Sequence, residues 1–296
     1  MYLLLAALPL LFVAGAFGQI RTVAITVDDL PCAGCGARAS EFNHKLIAVF
    51  RARRIPVSGF VIQKNVEALG PEGAHILEAW RRAGFDLGNH TYSHADFDNL
   101  SVEQMKNEII RGEAEISRRV FRFPFNHTGD TQAKHDAIAE FLAQRGYSLA
   151  PCTIDTSDYV FSAAYVRMLQ QGDRAEARRL EREYLSYSAA EIDYYARLNI
   201  QALGYEPAEI MLLHANPLNA ATASKVMDLF VQRGYRFIPL TQAQSDPAYR
   251  TPEKYITEYG PMWGYRWAKE RGIRVDGRLE PEPPKWVADY SAKIPR

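Results

Sequence analysis

Thr22-Val-Ala-Ile-Thr-Val-Asp-Asp-Leu-Pro31 is the stretch on which the fold turns. An apolar, β-branched run goes straight into two carboxylates and a proline, the form of a buried strand that stops at a polar edge. Runs of the same kind recur at 56–62, 85–89, 120–123, 147–153, 210–213 and 236–240. Between them, helical spacing covers 40–54, 72–83, 101–119, 131–145 and 220–233. Gly84, Gly146 and Gly234 each follow a charged last turn and mark helix stops. Ser101 with Gln104 three residues later predicts a capping box. Strand alternating with helix predicts parallel strands joined by right-handed crossovers, hence a barrel or a doubly wound sheet.

One connection is oversized. About fifty residues separate Asp158 from the strand at Ile210, where a crossover needs roughly a dozen. Two helices rich in Tyr and Arg, 174–184 and 189–203, are expected there, and 160–207 reads as an insertion packed on the main domain. From 246 to 296 the chain carries Pro, Tyr and Trp without clear periodicity. Trp263, Tyr265 and Trp267 have the chemistry to stack on sugars, but aromatics in such a tail more often hold it against the body.

The 296 residues are 47% hydrophobic and 24% charged, enough for one large α/β domain over 19–245. Lys plus Arg and Asp plus Glu both number 35, so the basic footprint of a nucleic-acid binder is missing. Residues 1–18 hold no charge and end in small side chains, which predicts a signal peptide cleaved before Gln19. The run is borderline for a membrane span of roughly 20 residues. The expectation is therefore export to the periplasm or beyond, with no stable membrane insertion after cleavage. Export would permit a disulfide among Cys32, Cys35 and Cys152. A local bridge and a bridge to Cys152 both stay open, while a thioredoxin-type site would need its CxxC at a helix start.

Chemistry-bearing residues gather at the C-terminal ends of the expected strands, where α/β barrels open their active sites. His90 and His94 lie four apart and can meet one ion if the segment turns there, with Asp29 completing an Asp-His-His set and a position left for water. Thr91 beside the first histidine excludes the HExxH zincin arrangement. On its own an HxxxH pair is more often structural, and the Asp pair on another strand end is what raises it. Neighbouring strand residues face opposite ways, so Asp28 and Asp29 can share a site only where the chain bends, as Pro31 would make it do. The economical division is Asp29 as ligand and Asp28 as base. Asp158 at one strand end is placed to orient His214 at another as a general acid, and Arg122 to hold Asp28 ionised. No GxSxG, P-loop or GxGxxG pattern is present.

Together these residues resemble the NodB-homology polysaccharide deacetylases, carbohydrate esterase family 4. The likeness spans 22–240 and rests on five motifs: Thr26-Val-Asp-Asp29, His90-Thr-Tyr-Ser-His94, Arg122-Phe-Pro-Phe125, Asp155-Thr-Ser-Asp-Tyr159 and Leu212-Leu-His214. The resemblance implies a distorted (β/α)7-type barrel with a helical insertion before the last-but-one strand. It implies one divalent metal ion, Zn²⁺ foremost and Co²⁺ or another as alternatives, on Asp29, His90 and His94. Asp28 would be the base, His214 the acid, Arg122 and Asp158 their partners, and the Phe125 backbone N–H the oxyanion donor. The implied substrate is an acetylated polysaccharide or oligosaccharide, with an N-acetyl amide ahead of an O-acetyl ester. Val27, Leu30, Asn126 and Tyr159 depart from the usual motif neighbours and alter the groove walls. A metal amidohydrolase acting on a small amide, and a carbohydrate-binding protein without catalysis, are the competing classes.

Overall fold

A computed structural model describes residues 20–32, 35–251 and 253–292. The expected signal peptide at 1–18 lies outside them. Strand β1 (Thr22–Leu30) runs through the middle of a wholly parallel sheet, between β2 (Val57–Val61) and β6 (Glu209–His214). Beyond β2 come β3 (Asp86–Asn89), β4 (Val120–Phe121) and β5 (Ser148–Leu149), giving the order β5-β4-β3-β2-β1-β6. Strand β7 (Arg236–Phe237) pairs with Thr22 and Val23 at the start of β1. All five residues of β2 and the first five of β6 are buried, as expected where helices cover both faces of parallel strands.

The sheet curls into a distorted barrel with a seam. The stretch 148–154 leaves the β4 edge at Ser148–Leu149 and reaches the opposite edge at Ile154, which bridges Met211 of β6. Backbone bonds Ala150 N–H to Phe121 O (2.8 Å) and Leu212 N–H to Ile154 O (2.9 Å) fasten its two ends. The run expected over 147–153 is thus one extended segment shared between two neighbours, with regular strand pairing only at its start.

Helices α1 (Ala39–Ala52), α2 (Gln63–Leu69), α3 (Pro71–Arg82), α4 (Val102–Arg111) and α5 (Gln132–Gln144) follow the first strands. The Ser101–Gln104 capping box forms, with both reciprocal bonds present. Helix α4 ends eight residues before the expected Arg119. Gly112 stands at its C-terminus against the β3 loop, where a Cβ would lie 2.4 Å from Asn89 Oδ1 and 2.9 Å from the Thr91 carbonyl carbon. Close packing on that loop stops the helix, and no local spacing announces it.

After β5 come α6 (Asp158–Gln170) and α7 (Arg174–Leu203), then α8 (Pro217–Gln232) and the single turn α9 (Leu240–Ala243). The two helices expected at 174–184 and 189–203 are one, 30 residues long. Its interior Ser188 returns its hydroxyl to Tyr184 O (2.7 Å) and so does not break the turn. The tail, expected to lack periodicity, forms α10 (Trp263–Glu270) and α11 (Lys285–Ala292). Trp263 and Trp267 are buried among Ala202, Ala248 and Ala268, so they hold the tail down instead of facing a sugar. Cys32 and Cys35 are bonded to each other, and Cys152 is a buried free thiol. Among the described residues no helix is long and apolar enough to cross a membrane.

A candidate metal centre at the barrel mouth

Asp28 and Asp29 reach one site because β1 is irregular before it ends. Its register against β2 slips between Val27 and Leu30, and Asp29 takes a left-handed backbone (φ 66°). A bulge of this kind re-aims a side chain that strict alternation would send to the far face. The bend expected from Pro31 therefore falls two residues earlier.

The loop from His90 to His94 is not helical. Asn89 Oδ1 accepts from Thr91 N–H (2.8 Å), Thr91 Oγ1 accepts from His94 N–H (3.0 Å), and Thr91 and His94 both have positive φ. This folding brings the imidazole centroids to 4.9 Å. Nε2 of His90 lies 3.6 Å and Nε2 of His94 3.5 Å from Asp29 Oδ1. That oxygen is buried and has no hydrogen-bond partner. A buried carboxylate oxygen facing two imidazole nitrogens is costly unless a cation joins them, and this donor set fits a divalent ion of the zinc type.

The partners behind the donors are consistent with that fit. His90 sets Nδ1 against Arg122 O at 2.9 Å, which assigns the proton to Nδ1 and leaves the Nε2 lone pair directed at Asp29. Burial, reinforced by His94, holds its pKa down near 3, so the ring is neutral. Arg122 is itself buried. Its Nη1 donates to Asp28 Oδ1 and to Thr26 Oγ1, both at 2.7 Å, and its Nε donates to Ala150 O at 3.1 Å. Burial nevertheless raises the Asp28 pKa against the pull of Arg122 and His214. Its other oxygen, Oδ2, lies 3.6 Å from His90 Nε2, on the side of the donor set.

Parallel pairing of β1 with β6 sets Asp28 opposite His214. His214 Nδ1 meets Asp158 Oδ1 at 2.6 Å, and Asp158 Oδ2 accepts from His214 N–H (2.8 Å) and from Asn219. Burial alone would lower the imidazole pKa. The wholly buried Asp158 overrides it and lifts His214 to about 10. Asp158 is lowered in turn, burial being outweighed by His214.

Asp28, Asp29, His90, His94 and His214 line a cavity of about 1010 Å³. Phe123, Phe125, Tyr159, Val160 and Leu212 supply much of its apolar surface, and Phe125 is a left-handed residue (φ 56°) half exposed to it. Two contributions had no role assigned from sequence, although Asp155 opens the fourth motif. Asp155 faces the cavity with its pKa raised to about 6 by burial and by Asp158. Gly260 and Met262 enter from the tail, where no motif marks them. His127, adjacent to the third motif, belongs to a different group: its Nδ1 sits 2.7 Å from Asp96 and 3.1 Å from Asp98, forming a second Asp-Asp-His group able to take an ion.

A parallel α/β barrel carrying Asp, His, His at the C-terminal mouth defines a metal-binding barrel of the kind that houses hydrolases. Comparison with known proteins narrows the class. Residues 18–148 match the family described as polysaccharide deacetylase. A peptidoglycan-N-acetylglucosamine deacetylase of Bacillus cereus is 23% identical over 143 residues, 46% of this chain and 46% of that protein. A chitin deacetylase of Arthroderma benhamiae is 24% identical over 148 residues, 47% of this chain and 35% of that protein. The chain thus matches less than half the length of these curated relatives. Among solved structures, a peptidoglycan N-acetylglucosamine deacetylase superposes with a TM-score of 0.53 at 16% identity, over 79% of this chain and 90% of that one. A carbohydrate esterase family 4 pseudoenzyme from Bacillus anthracis superposes at 0.52 and 15% identity, over 76% of this chain and 66% of that one. Over residues 18–148 the chain is similar to the polysaccharide deacetylases, and its fold is shared with structures of carbohydrate esterase family 4. The matched segment carries the first three motifs. The fourth and fifth, with Asp158 and His214, lie beyond it and rest on geometry.

Proposed function

We propose that this protein is an exported, metal-dependent deacetylase that removes N-acetyl groups from a polysaccharide. The observation that carries the reading is the buried, unpartnered Asp29 Oδ1 between two imidazole Nε2 atoms, flanked by Asp28 and His214. A divalent ion held by Asp29, His90 and His94 would polarise the acyl carbonyl and bring the pKa of water from ~15.7 toward ~7.

The chain's own groups divide the remaining work. Asp28 keeps Oδ1 on Arg122, which leaves Oδ2 to take the proton of the attacking water. The Phe125 N–H is the candidate donor to the carbonyl oxygen as that atom gains charge. His214, kept protonated by Asp158, supplies a proton to the departing sugar nitrogen, which is a poor leaving group without one. Each proton-transfer partner should contribute ~10²–10⁴ in rate. Export is supported by the apolar first 18 residues, which end in small side chains, and by the Cys32–Cys35 bond, which suits an oxidising compartment.

Acetate release should be measured from chitin oligosaccharides, peptidoglycan and acetylated xylan, with zinc loaded and after chelation. Release from an N-acetylated polymer that stops on chelation and returns with zinc is expected. Release that survives exhaustive chelation, or none from any polymer, defeats the reading. In the second case binding without release would favour a carbohydrate-binding protein on this fold.

A further inference from the structure

Left-handed backbone at two successive non-glycine residues, Phe125 and Asn126 (both φ 56°), persists only where surrounding structure enforces it. The enforcing atoms come from the tail, more than a hundred residues away. Arg266 of α10 is fully buried, and its Nη2 donates to Asn126 O at 2.7 Å. Nη1 donates to Thr128 Oγ1 (3.0 Å) and pairs with Glu253 (3.3 Å), while Nε donates to Pro261 O (3.1 Å). Glu253 is fixed from its other side by His135 Nε2 at 3.1 Å. Gly260 lies so close to the same loop that a Cβ there would fall 1.7 Å from Phe125 O.

Two consecutive peptide planes are therefore held. The carbonyl of Phe125 abuts Gly260, and the carbonyl of Asn126 is bonded to Arg266. With both fixed, the plane before them, which carries the Phe125 N–H, has little freedom to turn away from the cavity. An anchor for the tail alone would not need a buried guanidinium, because Trp263 and Trp267 already supply apolar burial. Removing a charged fork from water is expensive, and here two of its four contacts, to Asn126 O and Thr128 Oγ1, go to that loop.

We propose that Arg266, with Gly260 beside it, is a positioning residue that holds the Phe125 N–H toward the developing oxyanion. The proposal rests on the assignment of Phe125 as oxyanion donor. Zinc-loaded Arg266→Gln and Gly260→Ala should be compared with the unaltered protein on a chitin oligosaccharide. In each, kcat should fall about a hundredfold, the scale on which a misplacement of ~1 Å acts, while KM and zinc content stay unchanged. Amide hydrogen exchange across 124–128 should quicken. The double variant should lose little beyond either single change, because both act through one loop.

Unchanged kcat per zinc-loaded molecule in both single variants would overturn the proposal, and so would fully multiplicative losses. Activity lost only in step with zinc or with folded protein would reduce Arg266 to a tail anchor, which also overturns it. If Arg266→Gln does not fold, Gly260→Ala decides. An unaltered protein that releases no acetate would refute the deacetylase reading instead, and exchange at 124–128 would then decide whether Arg266 orders the loop.

Discussion

Replacing Asp158 by Asn tests the acid half of the site with little change of shape. The carboxylate lifts His214 from the ordinary 6.5 to about 10, more than three powers of ten in proton affinity. At 1.36 kcal/mol per decade that is about 4–5 kcal/mol; Asp158 is wholly buried and the His214 side chain 17% exposed, so solvent screens only part of it. Asn removes the charge. It also cannot accept at both oxygens, so either the ring nitrogen or the His214 and Asn219 donors lose a partner. In a pH–rate profile of acetate release, the alkaline limb should move from near pH 10 toward ~7. At pH 8, kcat on an N-acetyl oligosaccharide should fall ~10²–10⁴-fold. An aryl acetate, whose leaving group departs without a proton, should be spared most of the loss. If the alkaline limb does not move, or if amide and aryl ester suffer equally, His214 is not the acid and the argument from its pKa is wrong.

Asp29→Ala should abolish uptake of the ion in the cavity, so isothermal titration with zinc should lose its tight phase. Asp28→Asn should bind zinc like the unaltered protein yet lose ~10²–10⁴ in kcat, seen by metal content and acetate release on one sample. The acid limb of that profile should stand above the ordinary carboxylate range, because burial raises the Asp28 pKa and the base works only when ionised. Gly112→Ala puts a methyl group 2.4 Å from Asn89 Oδ1. It should cost about 1–3 kcal/mol in urea unfolding and weaken zinc binding by displacing the His90–His94 loop.

Much of this site was readable because each residue sits at a strand end, and strand ends announce themselves by an abrupt change from apolar to polar. That pattern drew attention to Asp28, Asp29, His90 and His214, and the five motifs together suggested their roles. The bulge that turns Asp29 inward did not show in it, since it depends on how β1 registers against β2. Likewise α4 ends where Gly112 packs on the β3 loop, and 174–203 is one helix whose buried face runs on from Ala177 to Ala202. Arg266 was invisible for a plainer reason. A buried arginine in a segment without periodicity looks like any solvated one until the carbonyl it binds is known.

Arg122 reaches Asp28 with one arm and Ala150 O with another, and Ala150 belongs to the stretch that closes the ring of strands. One guanidinium thus serves as a rivet in the wall and as counter-charge to the base. Replacing it would slacken the circumference at the same moment that it unbalances the proton acceptor. Its loss should accordingly register in melting temperature as well as in turnover, whereas Asp28→Asn should leave the rivet in place.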